Sequence, residues 1–221
     1  MGRKKARSLI AGKRVSVDGQ SATDNLLDVD RFMSVEIDGC PIQAAERALY
    51  VMLHKPVGVV SATKDAGHET VIDLIDDPDR STLHLVGRLD RNTSGLLLLT
   101  NDGRWSKALM DPVRKVPKIY HVTTIDPIRA DAVEAFANGF YFHTEDLTTM
   151  PAKLEVINET EARVTLHEGR YHQIKRMFHR IGNRVVSLHR EQVADLALPA
   201  DLMPGQWREI SRSQAWSMAG I

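Results

Sequence analysis

The stretch Gly87-Arg-Leu-Asp-Arg-Asn-Thr-Ser-Gly-Leu-Leu-Leu-Leu-Thr-Asn-Asp-Gly103 changes character at its midpoint. Arg88, Asp90, Arg91, Asn92, Thr93 and Ser94 crowd between Gly87 and Gly95. Leu96 to Leu99 then run without a polar residue until Thr100-Asn101-Asp102-Gly103 turns the chain. A short apolar run bounded by turn signals reads as a fully buried strand. A polar loop feeding straight into such a strand holds its side chains in fixed places. Asp90 is the loop's only carboxylate, with Arg88 and Arg91 on either side, and nearby positive charge favours the ionised form of an acid. On these residues alone three readings stay open. Asp90 caps the turn before Leu96, pairs with a flanking arginine at the surface, or is a functional carboxylate.

Outward from the loop, Tyr50-Val-Met-Leu-His54 predicts a strand, Lys55-Pro56 a break and Gly58-Val-Val-Ser61 a second short strand. Residues 70–76 predict a short helix or turn, 83–86 a buried strand and 105–110 a short helix. Residues 118–125 alternate as a strand containing Tyr120. Residues 129–138 are helical, with Val133 and Phe136 on one side and Gly139 at the end. Residues 153–157 and 162–167 form a strand pair. Residues 171–181 make a basic amphipathic helix with Ile174, Met177, Phe178 and Ile181 at helical spacing, stopped by Gly182. Residues 184–188 and 207–210 are the last strands. Strands outnumber helices and follow no βαβ rhythm. The expected class is therefore α+β, with a mixed, largely antiparallel central sheet flanked by helices.

Towards the N-terminus, residues 3–12 place Ala6, Leu9 and Ile10 on one helical face, and residues 14–19 and 31–39 alternate as strands. This small unit has few large apolar residues, and residues 40–48 read as a linker. The expected organisation is a small module with its linker over residues 1–45 and a large domain over residues 46–221.

The chain has 221 residues, with 29 Lys and Arg against 29 Asp and Glu, so its formal net charge is zero. The charge is unevenly distributed. Arg3, Lys4, Lys5, Arg7, Lys13 and Arg14 precede any acid, and Arg170, Lys175, Arg176, Arg180, Arg184 and Arg190 form a second basic segment. Two such clusters in a neutral chain point to an anionic partner. The lone cysteine, Cys40, excludes an internal disulfide framework and fits a reducing cytoplasm. No apolar run is long enough to cross a bilayer, and no charged-then-apolar leader opens the sequence, so no membrane partner is expected. The nine histidines are scattered, with no cysteine cluster beside them, and Cys40 has no partner base. Neither a Walker loop nor a Gly-x-Gly-x-x-Gly turn occurs. Neither a metal nor a cofactor is expected.

The string Gly-Arg-Leu-Asp-x-x-Thr-Ser-Gly-Leu-Leu-Leu-Leu-Thr-Asn-Asp-Gly resembles the catalytic motif of RNA pseudouridine synthases. The resemblance is greatest to the branch that modifies ribosomal RNA and includes the small-subunit synthase A. Three further blocks agree in order and spacing. Tyr50-Val-Met-Leu-His-Lys-Pro-Val-Gly58 resembles the family's Lys-Pro strand, and Lys118-Ile-Tyr-His-Val122 resembles its tyrosine motif. Glu168-Gly-Arg-Tyr-His-Gln-Ile-Lys-Arg-Met-Phe178 with Val185-Val-Ser-Leu-His-Arg190 resembles its third motif. The likeness runs from about residue 50 to the end. Residues 2–19 are similar to the second half of an S4 RNA-binding domain, without that domain's usual first helix. The expectation is a truncated S4-like module ahead of a pseudouridine synthase catalytic fold.

The resemblance implies that Asp90 is the catalytic carboxylate. It implies that Tyr120 stacks on a flipped-out uridine, which needs an aromatic face to replace the stacking it lost. Position 175 corresponds to the basic residue that pairs with the aspartate. Here it is lysine rather than the commoner arginine, a point charge instead of a fork, and Arg176 next door is a rival. Leu188 is expected as the apolar wall under the base, and Arg88, Arg91 and Arg190 as phosphate or carboxylate partners. Arg3, Lys4, Lys5, Arg7, Lys13 and Arg14 are expected to bind RNA. The implied activity is site-specific pseudouridine formation in 16S ribosomal RNA, on free RNA or a small-subunit assembly intermediate, by a cytoplasmic monomer. The alternatives are a 23S target, or a non-catalytic RNA-binding assembly factor that keeps the fold.

Overall fold

The computed structural model describes residues 2–220. The chain divides into two compact units, one ending at Ala48 and the other beginning at Leu49.

In the first unit, helix α1 (Arg3–Ala11) is followed by strands β1 (Val15–Val17), β2 (Gln20–Ser21), β3 (Val35–Ile37) and β4 (Cys40–Gln43). They form an antiparallel sheet in the order β2-β1-β3-β4. Two Asp-Gly pairs make its tight turns. Asp18-Gly19 and Asp38-Gly39 all have positive φ, the backbone that two-residue hairpin turns demand. The second of these corrects the linker expected at 40–48, because Asp38-Gly39 folds residues 40–43 back onto β3. Pro41 is tolerated there because β4 is an edge strand beside a register shift. Arg3, Lys4, Lys5, Arg7 and Lys13 are exposed and have no ion-pair partner among the described residues. Arg14 differs. Its guanidinium grips both oxygens of Asp38, with Nε donating to Oδ1 at 2.7 Å, and so it is already neutralised.

The second unit carries β5 (Tyr50–Lys55), β6 (His84–Val86), β7 (Ser94–Thr100), α2 (Gly103–Met110), β8 (Lys118–Thr124) and α3 (Ala132–Asn138). The short strands β9 (Tyr141–Phe142) and β10 (Leu147–Thr148) pair with each other. Then come β11 (Lys153–Val156), β12 (Glu161–Leu166), α4 (Gln173–Arg180), β13 (Val185–Val193), β14 (Leu196–Ala197), β15 (Trp207–Glu209) and α5 (Arg212–Met218). Gly58–Ser61 is not a strand; Val60 makes only an isolated bridge to Thr70. On α3 it is Ala132 and Phe136 that are buried, while Val133 faces solvent.

The main sheet runs β11-β12-β8-β13-β7-β5-β15, with β14 on β13 and β6 on β7. Every pairing in it is antiparallel except one, between β13 and β7, where His189 meets Ser94 and Arg190 meets Gly95. This short parallel contact joins the two halves of the sheet. Each half has its own core. Val51, Leu53, Leu97 and Leu99 pack with Val59, Val71, Ile75, Leu83 and Leu89. Val122, Val164 and Leu188 pack with Phe136 of α3 and Ile174, Met177 and Phe178 of α4. Tyr120 packs against both clusters.

The run Leu96–Leu99 is buried on both faces because alternate residues meet different layers. On the side away from the first core, Tyr50 stacks edge-on against Trp105 of α2. Trp105 Nε1 donates to the Ala215 carbonyl of α5 at 3.0 Å. Asp102 unites the pieces: Oδ1 accepts from the first amides of α2, Arg104 N at 2.9 Å and Trp105 N at 3.3 Å, and Oδ2 accepts from the Tyr50 hydroxyl at 2.6 Å. Burial, reinforced by that bond, pushes the Tyr50 phenol up to about 12. No helix among the described residues is long and apolar enough to cross a membrane.

Candidate active site

The loop between β6 and β7 is held from below by a lysine with no exposed surface. Lys55, the last residue of β5, donates its ammonium hydrogens to the carbonyls of Pro56 at 2.9 Å, Thr93 at 2.8 Å and Arg91 at 3.3 Å. Burial pushes Lys55 down to about 8, opposed by attraction to Asp90. The loop is tied at two further points. Ser61 Oγ donates to the Leu89 carbonyl at 2.7 Å, and the Arg91 carbonyl accepts from Gly58 N at 2.9 Å. Asp90 is thus the projecting side chain of a segment fixed on both sides of it.

The Asp90 carboxylate does not cap its own turn. That turn is closed by the Asp90 carbonyl, which accepts from Thr93 N at 3.0 Å. Its two carboxylate oxygens have separate partners. Lys175 Nζ donates to Oδ2 at 3.0 Å, and His172 Nε2 lies 3.4 Å from Oδ1. All three side chains keep roughly a third of their surface open, at 27%, 30% and 37% for Asp90, Lys175 and His172. The carboxylate is therefore held by the Lys175 ammonium with the His172 imidazole beside it, and keeps part of its surface open to solvent. Lys175 is brought here by α4, whose apolar face of Ile174, Met177 and Phe178 packs on the sheet and leaves Lys175 pointing at the loop.

Arg176 is not the partner of Asp90. Its Nη1 pairs with Glu145, its Nη2 donates to Thr144 Oγ1 at 3.0 Å, and its guanidinium carbon lies 3.6 Å over the Phe142 ring. Arg91 Nε donates to the Gly58 carbonyl at 2.9 Å, so Arg91 ties the loop and does not pair with Asp90. Arg88 is exposed and has no partner among the described residues, which leaves it available to an anion. Arg190 corrects its expectation. It is 4% exposed, with Nε donating to the Leu96 carbonyl at 2.7 Å. The guanidinium is buried in the middle of the sheet, where Nε braces β7 and Nη2 has no hydrogen-bond partner among the described residues.

Strand register lines up the remaining residues. Gly95 of β7, Arg190 of β13 and Tyr120 of β8 are consecutive cross-strand partners, so the Tyr120 backbone stands about 10 Å from that of Gly95. Leu188, 7% exposed, lies two residues along β13 on the same face as Arg190 and packs in the α4 core. Behind the loop, Ser94 Oγ and His189 Nδ1 share a hydrogen bond of 2.9 Å, and the His189 ring stands edge-on to His54. Burial, with His54 nearby, pushes the His189 imidazole below its usual range.

Sequence reasoning missed Lys55 and His172 as members of this site. Lys55 reads in the sequence as the break before proline and as part of the block that resembles the family's Lys-Pro strand, and neither reading places it beneath the Asp90 loop. His172 lies in a turn and carries no periodic signal; what marks it is its left-handed backbone, φ 49°. No group of three or more His, Cys, Asp or Glu side chains among the described residues is placed to hold a metal ion.

A family model described as RNA pseudouridylate synthase matches residues 49–180. Two curated relatives are similar over nearly their whole lengths, and both are named ribosomal small subunit pseudouridine synthase A. The one from Pseudomonas aeruginosa is 49% identical over 218 residues, covering 99% of this chain and 95% of the relative. The one from Escherichia coli is 43% identical over 209 residues, covering 95% and 90%. A crystal structure titled as a pseudouridylate synthase superposes with a TM-score of 0.75 at 34% identity, covering 99% of this chain and 94% of that one.

Proposed function

The chain belongs to the RNA pseudouridylate synthase family, and from that premise we propose that it converts a specific uridine of 16S ribosomal RNA into pseudouridine, with Asp90 as the catalytic carboxylate. The carbon–nitrogen bond between uracil and ribose breaks, the base turns in the pocket, and a carbon–carbon bond forms in its place. One proton leaves the base carbon and one is taken up at the freed nitrogen. Both fragments stay in one enclosure, so proximity replaces any external energy source or cofactor.

The observation that carries this reading is the Asp90 carboxylate, with Lys175 on one oxygen, His172 near the other and part of its surface open. A carboxylate so held is pre-aimed, as either nucleophile or base against a ribose. Tyr120 offers the ring for the flipped base and Leu188 the apolar wall under it. Arg88 is the cation of the loop with no internal partner, and it fits a backbone phosphate.

The small ribosomal subunit as target follows from the names of the relatives, and the same source favours 16S over 23S RNA. The first unit fits an S4-like RNA-binding module, its row of unpaired cations on α1 and after it meeting phosphates. The reading includes a cytoplasmic monomer acting on free RNA or a partly assembled subunit.

The test is incubation of the protein with 16S and 23S transcripts, free and with ribosomal proteins, followed by carbodiimide labelling and primer extension. The expected result is one new pseudouridine in 16S RNA with the wild type and none with Asp90→Asn, which still folds and binds RNA. No product on either RNA would favour the pure binder, and turnover by Asp90→Asn would remove the role of Asp90.

A further inference from the structure

Next to Asp90 the molecule exposes an aromatic ring on a rigid support. Tyr171 is 75% exposed, yet the segment that carries it is clamped. Glu168 accepts on one carboxylate oxygen from Met150 N and from Gln173 Nε2, both at 2.8 Å, and on the other from Arg170 Nε at 2.9 Å. Gln173 Oε1 accepts from Arg170 N at 3.1 Å, and Arg170 also pairs with Glu145. The four residues between Glu168 and Gln173 thus form a closed loop that starts α4.

Within it Tyr171 lies flat on His172, ring centroids 3.8 Å apart and planes 21° from parallel. His172 is the residue that approaches Asp90, and its left-handed backbone is a conformation that non-glycine residues hold only where the surroundings impose it. The order is therefore carboxylate, imidazole, phenol ring, solvent. The outer face of Tyr171 is turned to solvent, with the residue 75% exposed.

Resting on the activity proposed above, we infer that the Tyr171–His172 stack is a second base platform, which takes the nucleobase adjoining the target uridine in the RNA chain. A flipped uridine leaves its neighbour without a stacking partner, and an exposed, pre-positioned ring beside the catalytic carboxylate supplies one. Unpaired Arg88 on the adjacent loop gives the connecting phosphate a counter-charge. Stacking accepts any base, so the platform adds grip on an unpaired strand without reading its sequence.

The experiment uses the full chain and 16S transcript in single-turnover assays with subsaturating enzyme. Tyr171→Ala is expected to lower kcat/KM about ten-fold or more, within the range that base–aromatic stacking spans, while Tyr171→Phe stays close to wild type because stacking needs no hydroxyl. Oligonucleotides spanning the mapped uridine, with an abasic residue at one flank, then test the contact. The abasic residue at the stacked flank costs the wild type the same factor and costs Tyr171→Ala nothing further. Unchanged turnover by Tyr171→Ala would overturn the inference, as would equal damage from Tyr171→Phe, or additive losses at both flanks. A defect seen only on assembled particles and never on free transcript would overturn it too, assigning the ring to a protein neighbour. Absence of pseudouridine with the wild type would instead overturn the proposed activity, so the two failures are separate.

Discussion

A Cβ atom on Gly95 would lie 2.3 Å from the carbonyl oxygen of Arg190 and 2.5 Å from its nitrogen. The two backbones touch where β7 and β13 make the sheet's single parallel contact, five residues beyond Asp90. Gly95 also has φ +108°, which L side chains rarely adopt. Gly95→Ala is therefore expected to destabilise the protein by about 3 kcal/mol, lowering Tm by about 10 °C. A thermal melt followed by circular dichroism checks this, and an unchanged Tm would show that β13 can move away freely.

Lys175 supplies the charge on Asp90 Oδ2. Removing a preorganised electrostatic partner costs about 10²–10³ in rate, so Lys175→Ala is expected to slow single-turnover conversion by that order. Lys175→Arg keeps the charge but brings a planar fork, and about a ten-fold loss is expected. Near-equal rates for alanine and arginine would mean that charge is not what Lys175 contributes.

Burial pushes Lys55 down to about 8 in the folded protein, against about 10.4 in an unfolded chain. Between those values the unfolded chain binds a proton that the folded protein lacks, so this group's contribution to stability rises with pH through that window. Carbon-13 NMR of labelled lysine side chains should show one signal with a midpoint near pH 8, absent in Lys55→Arg. Titration of every lysine above about pH 9.5 would contradict the burial effect.

The cations of α1 can be counted through salt. Replacing Arg3, Lys4, Lys5 and Arg7 together with glutamine is expected to weaken RNA binding at low salt. It should also reduce the slope of log affinity against log salt by about 0.7 for each phosphate that no longer meets a cation. Arg14→Gln should change that slope little, since Asp38 already holds its guanidinium. An unaltered slope in the quadruple variant would leave RNA binding to the larger unit alone.

Much of this architecture is legible in the chain, because burial writes itself locally. Leu96–Leu99 reads as a buried strand, and the spacing of Ile174, Met177 and Phe178 reads as the buried face of α4. What is not legible depends on which strand lies beside which. Arg190 looks like a surface cation until β13 is seen lying between β7 and β8. Lys55 looks like the end of a strand until the loop, almost forty residues further on in the chain, closes over it. The identity of the partner of Asp90 had two neighbouring candidates, Lys175 and Arg176. It was decided by Glu145 and Phe142, which draw Arg176 away.

The pairing of β15 with β5 sets a condition on the birth of the protein. Leu53 finds its outer partner only in Trp207, and Met52 only in Arg208. Translation delivers Leu53 long before Trp207. Until Trp207 has left the exit tunnel, the strand that ends in Lys55 has an unpaired edge, and pairings so distant in sequence are slow to form. The edge of the strand that carries Lys55 is therefore closed late in folding, once the distant segment around Trp207 is there to pair with it.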